Sequence, residues 1–78
     1  MKKYDFKKQA VKLTGIKAGD QVTVDTKTGI TVLLKLTALI DEIQSYQGVV
    51  VYTEKEVWDL KIGDEIQFRC DCVSGMAF

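Results

Sequence analysis

Gln21-Val22-Thr23-Val24-Asp25-Thr26-Lys27-Thr28-Gly29-Ile30-Thr31-Val32-Leu33-Leu34-Lys35-Leu36 is the stretch that decides the fold class. Its first five residues alternate, with Val22 and Val24 on one face and Gln21, Thr23 and Asp25 on the other, the period of a half-buried strand. Thr26-Lys27-Thr28-Gly29 then ends in glycine, which readily takes the left-handed position of a bulged hairpin loop, so the next segment should run back beside the first. From Ile30 the set Ile30, Val32, Leu34, Leu36, Ala38 and Ile40 points inward, against Thr31, Leu33, Lys35, Thr37, Leu39 and Asp41. So long a strand has to bend to serve a small barrel. A helix over Leu33–Ile43 competes with it, because Leu36, Leu39, Ile40 and Ile43 also recur at helical spacing. The strand is preferred. Leu33 and Leu39 then sit on the nominally polar face and, with Tyr46, mark a candidate surface for a protein partner.

Outward from this hairpin the same signature continues. Glycines punctuate segments rich in Val, Ile, Thr and Tyr. Ser45-Tyr46-Gln47-Gly48 has the composition of a second glycine-closed turn, and Gly48–Thr53 is apolar on both faces, as a central strand is. Thr53-Glu54-Lys55-Glu56 matches a capping box and predicts one short helical turn over residues 54–59, from which Val57, Trp58 and Leu60 would plug a barrel end. Glu65–Val73 alternates again, with Ile66, Phe68, Cys70 and Cys72 on one side, and is expected to be the closing strand. The first fourteen residues leave two readings open: a strand over Ala10–Thr14 or a helical turn over Asp5–Lys12.

Ile16-Lys17-Ala18-Gly19-Asp20-Gln21-Val22-Thr23-Val24 and Leu60-Lys61-Ile62-Gly63-Asp64-Glu65-Ile66-Gln67-Phe68 share one pattern: apolar, Lys, apolar, Gly, Asp, then polar and apolar in alternation. Glycine permits a tight turn at positive φ, and the aspartate can bond nearby backbone amides as the chain enters a strand. The phrase resembles the Lys-x-Gly-Asp strand entrances of small β-barrels, among them the OB-fold and Src-homology-like barrels of translation and phage proteins. The resemblance is one of fold, and such folds host unrelated functions. The expected architecture is therefore all-β: residues 1–78 as a single small domain, a five-stranded antiparallel barrel, Src-homology-like or OB-like, with one short helix before the last strand.

Composition narrows the function by exclusion. Of 78 residues, 46% are hydrophobic and 28% charged, the balance of a globular chain with a core. Histidine is absent, which removes the usual general base and the commonest zinc ligand. Eleven basic and eleven acidic residues cancel, so no global field draws the chain to duplex DNA or an anionic membrane. The zero hides a division: residues 1–39 carry eight lysines against Asp5, Asp20 and Asp25, while residues 40–78 carry Lys55, Lys61 and Arg69 against eight carboxylates. No stretch approaches the ~20 apolar residues of a membrane span, and the start lacks the apolar run of a signal peptide, so a cytoplasmic setting is expected.

Cys70-Asp71-Cys72 would place two thiols about 6.5–7 Å apart along one strand, awkward for a disulfide and half of a zinc site. Their alternation with Ile66 and Phe68 marks them as core residues. No nucleophile sits in a recognisable triad, and no phosphate-cradling glycine loop or other cofactor motif is present. The expected function is a non-catalytic protein interaction or assembly module, phage-borne or from a mobile element, with a protein partner or self-association and no cofactor. The alternative is a small barrel binding single-stranded nucleic acid through a basic groove and stacking aromatics, formed by Lys2, Lys3, Tyr4, Phe6, Lys7, Lys8, Lys27 and Lys35.

Overall fold

The computed structural model describes residues 2–10 and 13–77, with backbone only for Lys2 and Lys3. Among these residues the strands are β1 (Lys2–Lys3), β2 (Gln21–Asp25), β3 (Thr31–Ile40), β4 (Ser45–Thr53), β5 (Glu65–Arg69) and β6 (Val73–Ala77). They form one sheet in the order β1-β5-β4-β3-β2-β6. Five strands, β2 to β6, are antiparallel to their neighbours, and β1 adds a short parallel strip along β5.

The all-β expectation holds, but the barrel does not. Among the described residues β1 and β6 are the two edges of the sheet and do not pair with each other, so it stays open. It nevertheless wraps a core, and the extents of 29 × 25 × 24 Å are nearly equal. Curvature comes from bulges, which insert one extra residue and bend the strand. The β3–β4 ladder shifts register between Leu33 and Leu34 and again between Leu36 and Ala38, leaving Val51 as the extra residue on β4 and Thr37 on β3. The second bulge overturns the expected alternation. Beyond Thr37 it is Leu39, opposite Tyr46, that packs against the core, in place of the expected Ala38 and Ile40.

The first hairpin forms as its residues dictate. Gly29 is left-handed at φ +91°, its amide bonds the Thr26 carbonyl at 2.9 Å, and the Thr26 hydroxyl accepts the Ile30 amide at 3.0 Å. The two Lys-x-Gly-Asp phrases build the same device twice. In the first, Asp20 Oδ2 accepts the Lys17 amide at 2.9 Å, Gly19 stands at φ +95°, and the turn locks onto β3 through Gly19 N–H to Leu36 O and Leu36 N–H to Asp20 O, both 2.8 Å. In the second, Asp64 Oδ2 accepts the Lys61 amide at 2.9 Å and Gly63 stands at φ +96°. That turn locks onto β4 through Gly63 N–H to Val50 O at 2.8 Å and Val50 N–H to Asp64 O at 2.9 Å.

Three local expectations are corrected. Residues 54–59 form no helix: the Thr53 hydroxyl donates to the Lys55 carbonyl, and the Glu54 carboxylate instead accepts the Thr31 amide at 2.8 Å at the start of β3. A one-turn helix gains too few bonds to outweigh its nucleation cost when a neighbouring strand offers a partner. The turn before the last strand is a 3-10 turn at Cys70–Cys72, which splits the expected continuous strand 65–73 into β5 and β6. That break lets the chain leave β4 and return to β2. The β3–β4 connection is a 3-10 turn at Asp41–Ile43 closed by Gln44 in the left-handed region, so Ser45–Gly48 begins β4 and makes no turn. Gly48 is needed there for space, because a Cβ would stand 3.1 Å from the Lys35 carbonyl oxygen. At the N-terminus neither open reading is seen among the described residues, and Val11 and Lys12 lie outside them.

The core is Val22, Val24, Val32, Leu34, Leu36, Val50, Ile66, Phe68 and Val73 from the sheet, joined by Phe6, Val57, Leu60, Cys70 and Cys72. Phe6, on the irregular N-terminal segment, is the plug expected of Trp58. Lys7 N–H to Asp25 O at 2.8 Å and Gln9 N–H to Asp71 O at 2.9 Å hold that segment across the open end. No helix among the described residues is long and apolar enough to cross a membrane.

Candidate functional site

An aromatic series leads from the core to the surface. Tyr46 meets Phe68 edge-on at 6.1 Å, Phe68 meets Phe6 at 6.2 Å, and Phe6 meets Trp58 at 5.7 Å. Tyr4 then stacks on Trp58 with ring centroids 5.2 Å apart. Phe6, Phe68 and Tyr46 are buried, Tyr4 is half-buried, and Trp58 is 57% exposed.

Trp58 owes this position to a tight turn with buried flanks. Val57 and Leu60 are both in the core and form an isolated bridge, with Leu60 N–H to Val57 O at 2.9 Å. Between them Trp58 adopts φ +49°, a left-handed conformation that costs an aromatic residue on the order of 1–2 kcal/mol. Tyr4 Oη donates to Asp59 Oδ1 at 2.7 Å and ties the N-terminal segment to the same turn. A groove of about 260 Å³ runs beside Trp58, lined also by Thr26, Lys27, Thr28, Ile30, Glu56 and Val57. A second cleft, of about 240 Å³, is lined by Tyr4, Ile43, Ser45, Gln67, Phe68 and Arg69.

The proposed contact residues do not converge. Tyr46 is buried and Leu39 packs against the core. Leu33 is half-buried on the outer sheet face, directly opposite the exposed Tyr52. The basic-aromatic set is also dispersed. Phe6 presents no ring face to a base because it is in the core, and Lys35 stands in mid-sheet opposite Gln21 and Val49. Lys27 donates to Asp5 Oδ2 at 2.7 Å, and that bond raises its pKa. Lys8 stands 3.9 Å from Asp71, Lys7 is exposed, and the side chains of Lys2 and Lys3 lie outside the described residues.

Cys70 and Cys72 are buried. Burial pushes the Cys72 thiol up to about 11, with the adjacent Asp71 carboxylate adding to the effect, so it stays protonated at neutral pH and is a poor nucleophile or metal ligand. Asp71 itself is held below the usual carboxylate range, chiefly by its bonds from Arg69 Nε and Nη2 at 3.2 and 3.3 Å. No group of three or more potential metal-ligating side chains occurs among the described residues.

No protein-family model, curated protein or solved structure matches this chain. The surface around Trp58 escaped sequence reasoning because a left-handed tryptophan has no local signal, and its alternation with Val57 and Leu60 suited a buried residue equally well. Gln67 and Arg69 were visible as the polar face of an alternating strand, but nothing in that alternation shows that a cleft forms over them.

Proposed function

We propose that the chain is a non-catalytic, cytoplasmic protein-interaction module that takes an extended segment of a partner protein on the surface made by Tyr4 and Trp58. Trp58 carries this reading. It combines backbone strain with exposure of the largest apolar side chain in the protein, two costs that burial under a partner would offset. The neighbouring groove offers apolar floor from Ile30 and Val57 and polar rims from Lys27 and Glu56, the mixture common to peptide-binding surfaces. The connectivity, a β2–β5 meander whose last strand returns through a 3-10 turn to β2, supports an opened relative of the Src-homology-like arrangement over an OB-like one.

Single-stranded nucleic acid is the second reading, favoured by the same stacked pair, since every base has a face to lay on an aromatic ring. It is weakened by Glu56 and Asp59, which place carboxylates beside that pair, and by Asp5, which engages the groove's Lys27. Trp58 is the sole tryptophan, so its emission reports directly on the site. Titration with an acetylated, amidated pool of short peptides is expected to shift that emission saturably, with at least tenfold loss of affinity in Tyr4→Ala. An emission shift with single-stranded DNA that weakens steeply from about 50 to about 200 mM salt, and none with peptides, would replace this reading by the nucleic-acid one.

A further inference from the structure

We infer that the cleft between Tyr4 and Ile43 recognises the main-chain amide of an extended, uncharged peptide segment through the side-chain carboxamide of Gln67. The inference rests on the interaction-module reading but on different atoms. Gln67 is buried at 8% exposure, yet its carboxamide makes no hydrogen bond to any described residue, and it lines the cleft. No buried side-chain nitrogen or oxygen is left without a partner among the described residues, so the Gln67 carboxamide reaches the cleft, where water or a group from outside the chain can meet it. The other polar side chains there are engaged. Ser45 Oγ donates to Ile43 O at 3.3 Å, Tyr4 Oη donates to Asp59, and Arg69 holds Asp71 through two nitrogens.

The chemistry of the ligand follows from these atoms. A carboxamide presents one acceptor oxygen and two N–H donors in a plane, which matches the C=O and N–H of a peptide group. Among the described residues Arg69 is the only charged one lining the cleft and is engaged by Asp71, so the lining favours a neutral group over a strong anion or cation. The strand edge is suited to extended chain. β1 pairs Lys2 with Ile66 and Lys3 with Gln67 and stops there, while Tyr4 turns aside onto Trp58. Phe68 and Arg69 therefore have β4 on one side and, among the described residues, no strand on the other. An exposed strand edge is a ready template for peptide addition. At about 240 Å³ the cleft suits a short peptide stretch, being smaller than the ~300–1,000 Å³ of ordinary small-molecule sites.

The test is a ¹⁵N–¹H correlation titration of the whole chain with acetylated, amidated tetrapeptides lacking charged residues, following the Gln67 side-chain NH₂ and the amides of Ile43, Phe68 and Arg69, with Trp58 emission read in parallel. Saturable shifts at these four positions are expected, together with at least tenfold weaker binding in Gln67→Leu at an unchanged melting temperature. Gln67→Met serves as the second variant should the leucine variant fail to fold. An unmoved Gln67 side chain in the native protein, or undiminished affinity in the folded variants, would overturn the inference and leave a water-filled cleft. A Trp58 response without a Gln67 response removes the cleft and keeps the module. A Gln67 response without a Trp58 response keeps the cleft and removes the Tyr4–Trp58 surface.

Discussion

The turn at Lys17–Asp20 and the turn at Lys61–Asp64 have the same bonds to within 0.1 Å and the same glycine φ to within a degree, yet they sit in different surroundings. The first leads into β2 and locks onto β3; the second leads into β5 and locks onto β4. The aspartate and the glycine do identical work in both. The lysine contributes only its backbone N–H and C=O, so its recurrence is not required by the turn. The flanking apolar positions diverge: Leu60 is in the core where Ile16 is half-buried, and Ile62 is 68% exposed where the other copy has Ala18. Backbone geometry therefore constrains two residues of the phrase, and the fold uses the rest separately in each copy.

The largest test of that division is at the position before the lysine. Leu60→Ala should cost about 2–4 kcal/mol in urea unfolding, and Ile16→Ala no more than about half as much, because only the first opens a cavity in the core. Equal losses would mean that the two copies are packed alike. Next come the glycines. Added Cβ atoms at Gly19 and Gly63 meet nothing within 4 Å, so Gly19→Ala and Gly63→Ala should each cost about 1–2 kcal/mol through φ alone. A difference between them above about 0.5 kcal/mol would show that one turn is strained by its context.

Asp20→Ala and Asp64→Ala remove one side-chain acceptor each and should cost about 0.5–1.5 kcal/mol, again in parallel, with Asn restoring most of it. The smallest effects belong to the positions where the copies are free to differ. Lys17→Ala, Lys61→Ala and Ile62→Ala should each stay within about 0.5 kcal/mol of the parent. A clear loss in Ile62→Ala would reveal packing that its exposure does not suggest.

How far the sequence could be read follows the same line between local and distant causes. The Gln21–Asp25 strand and its Thr26–Gly29 loop were legible because alternation and a glycine settle both within a few residues. The reach of β3 to Ile40 was legible too, but the face of Leu39 was not. A bulge at Thr37 depends on how β4 is aligned, and one inserted residue reverses every side chain beyond it. Trp58 failed for a related reason. Val57, Trp58 and Leu60 are all apolar, and only the bridge between Val57 and Leu60 decides which of them faces out.

By itself the sequence determined an all-β chain without histidine, the hairpin around Gly29, two Gly-Asp strand entrances and a pair of core cysteines, since each rests on neighbours or on composition. Only the tertiary structure decided that the sheet stays open and that Phe6, not Trp58, fills its end. It also decided that Tyr4 turns from β5 to stack on Trp58, leaving Gln67 buried at a cleft. Those outcomes depend on which distant surfaces meet, and a one-residue shift in strand pairing changes them while leaving every local preference satisfied.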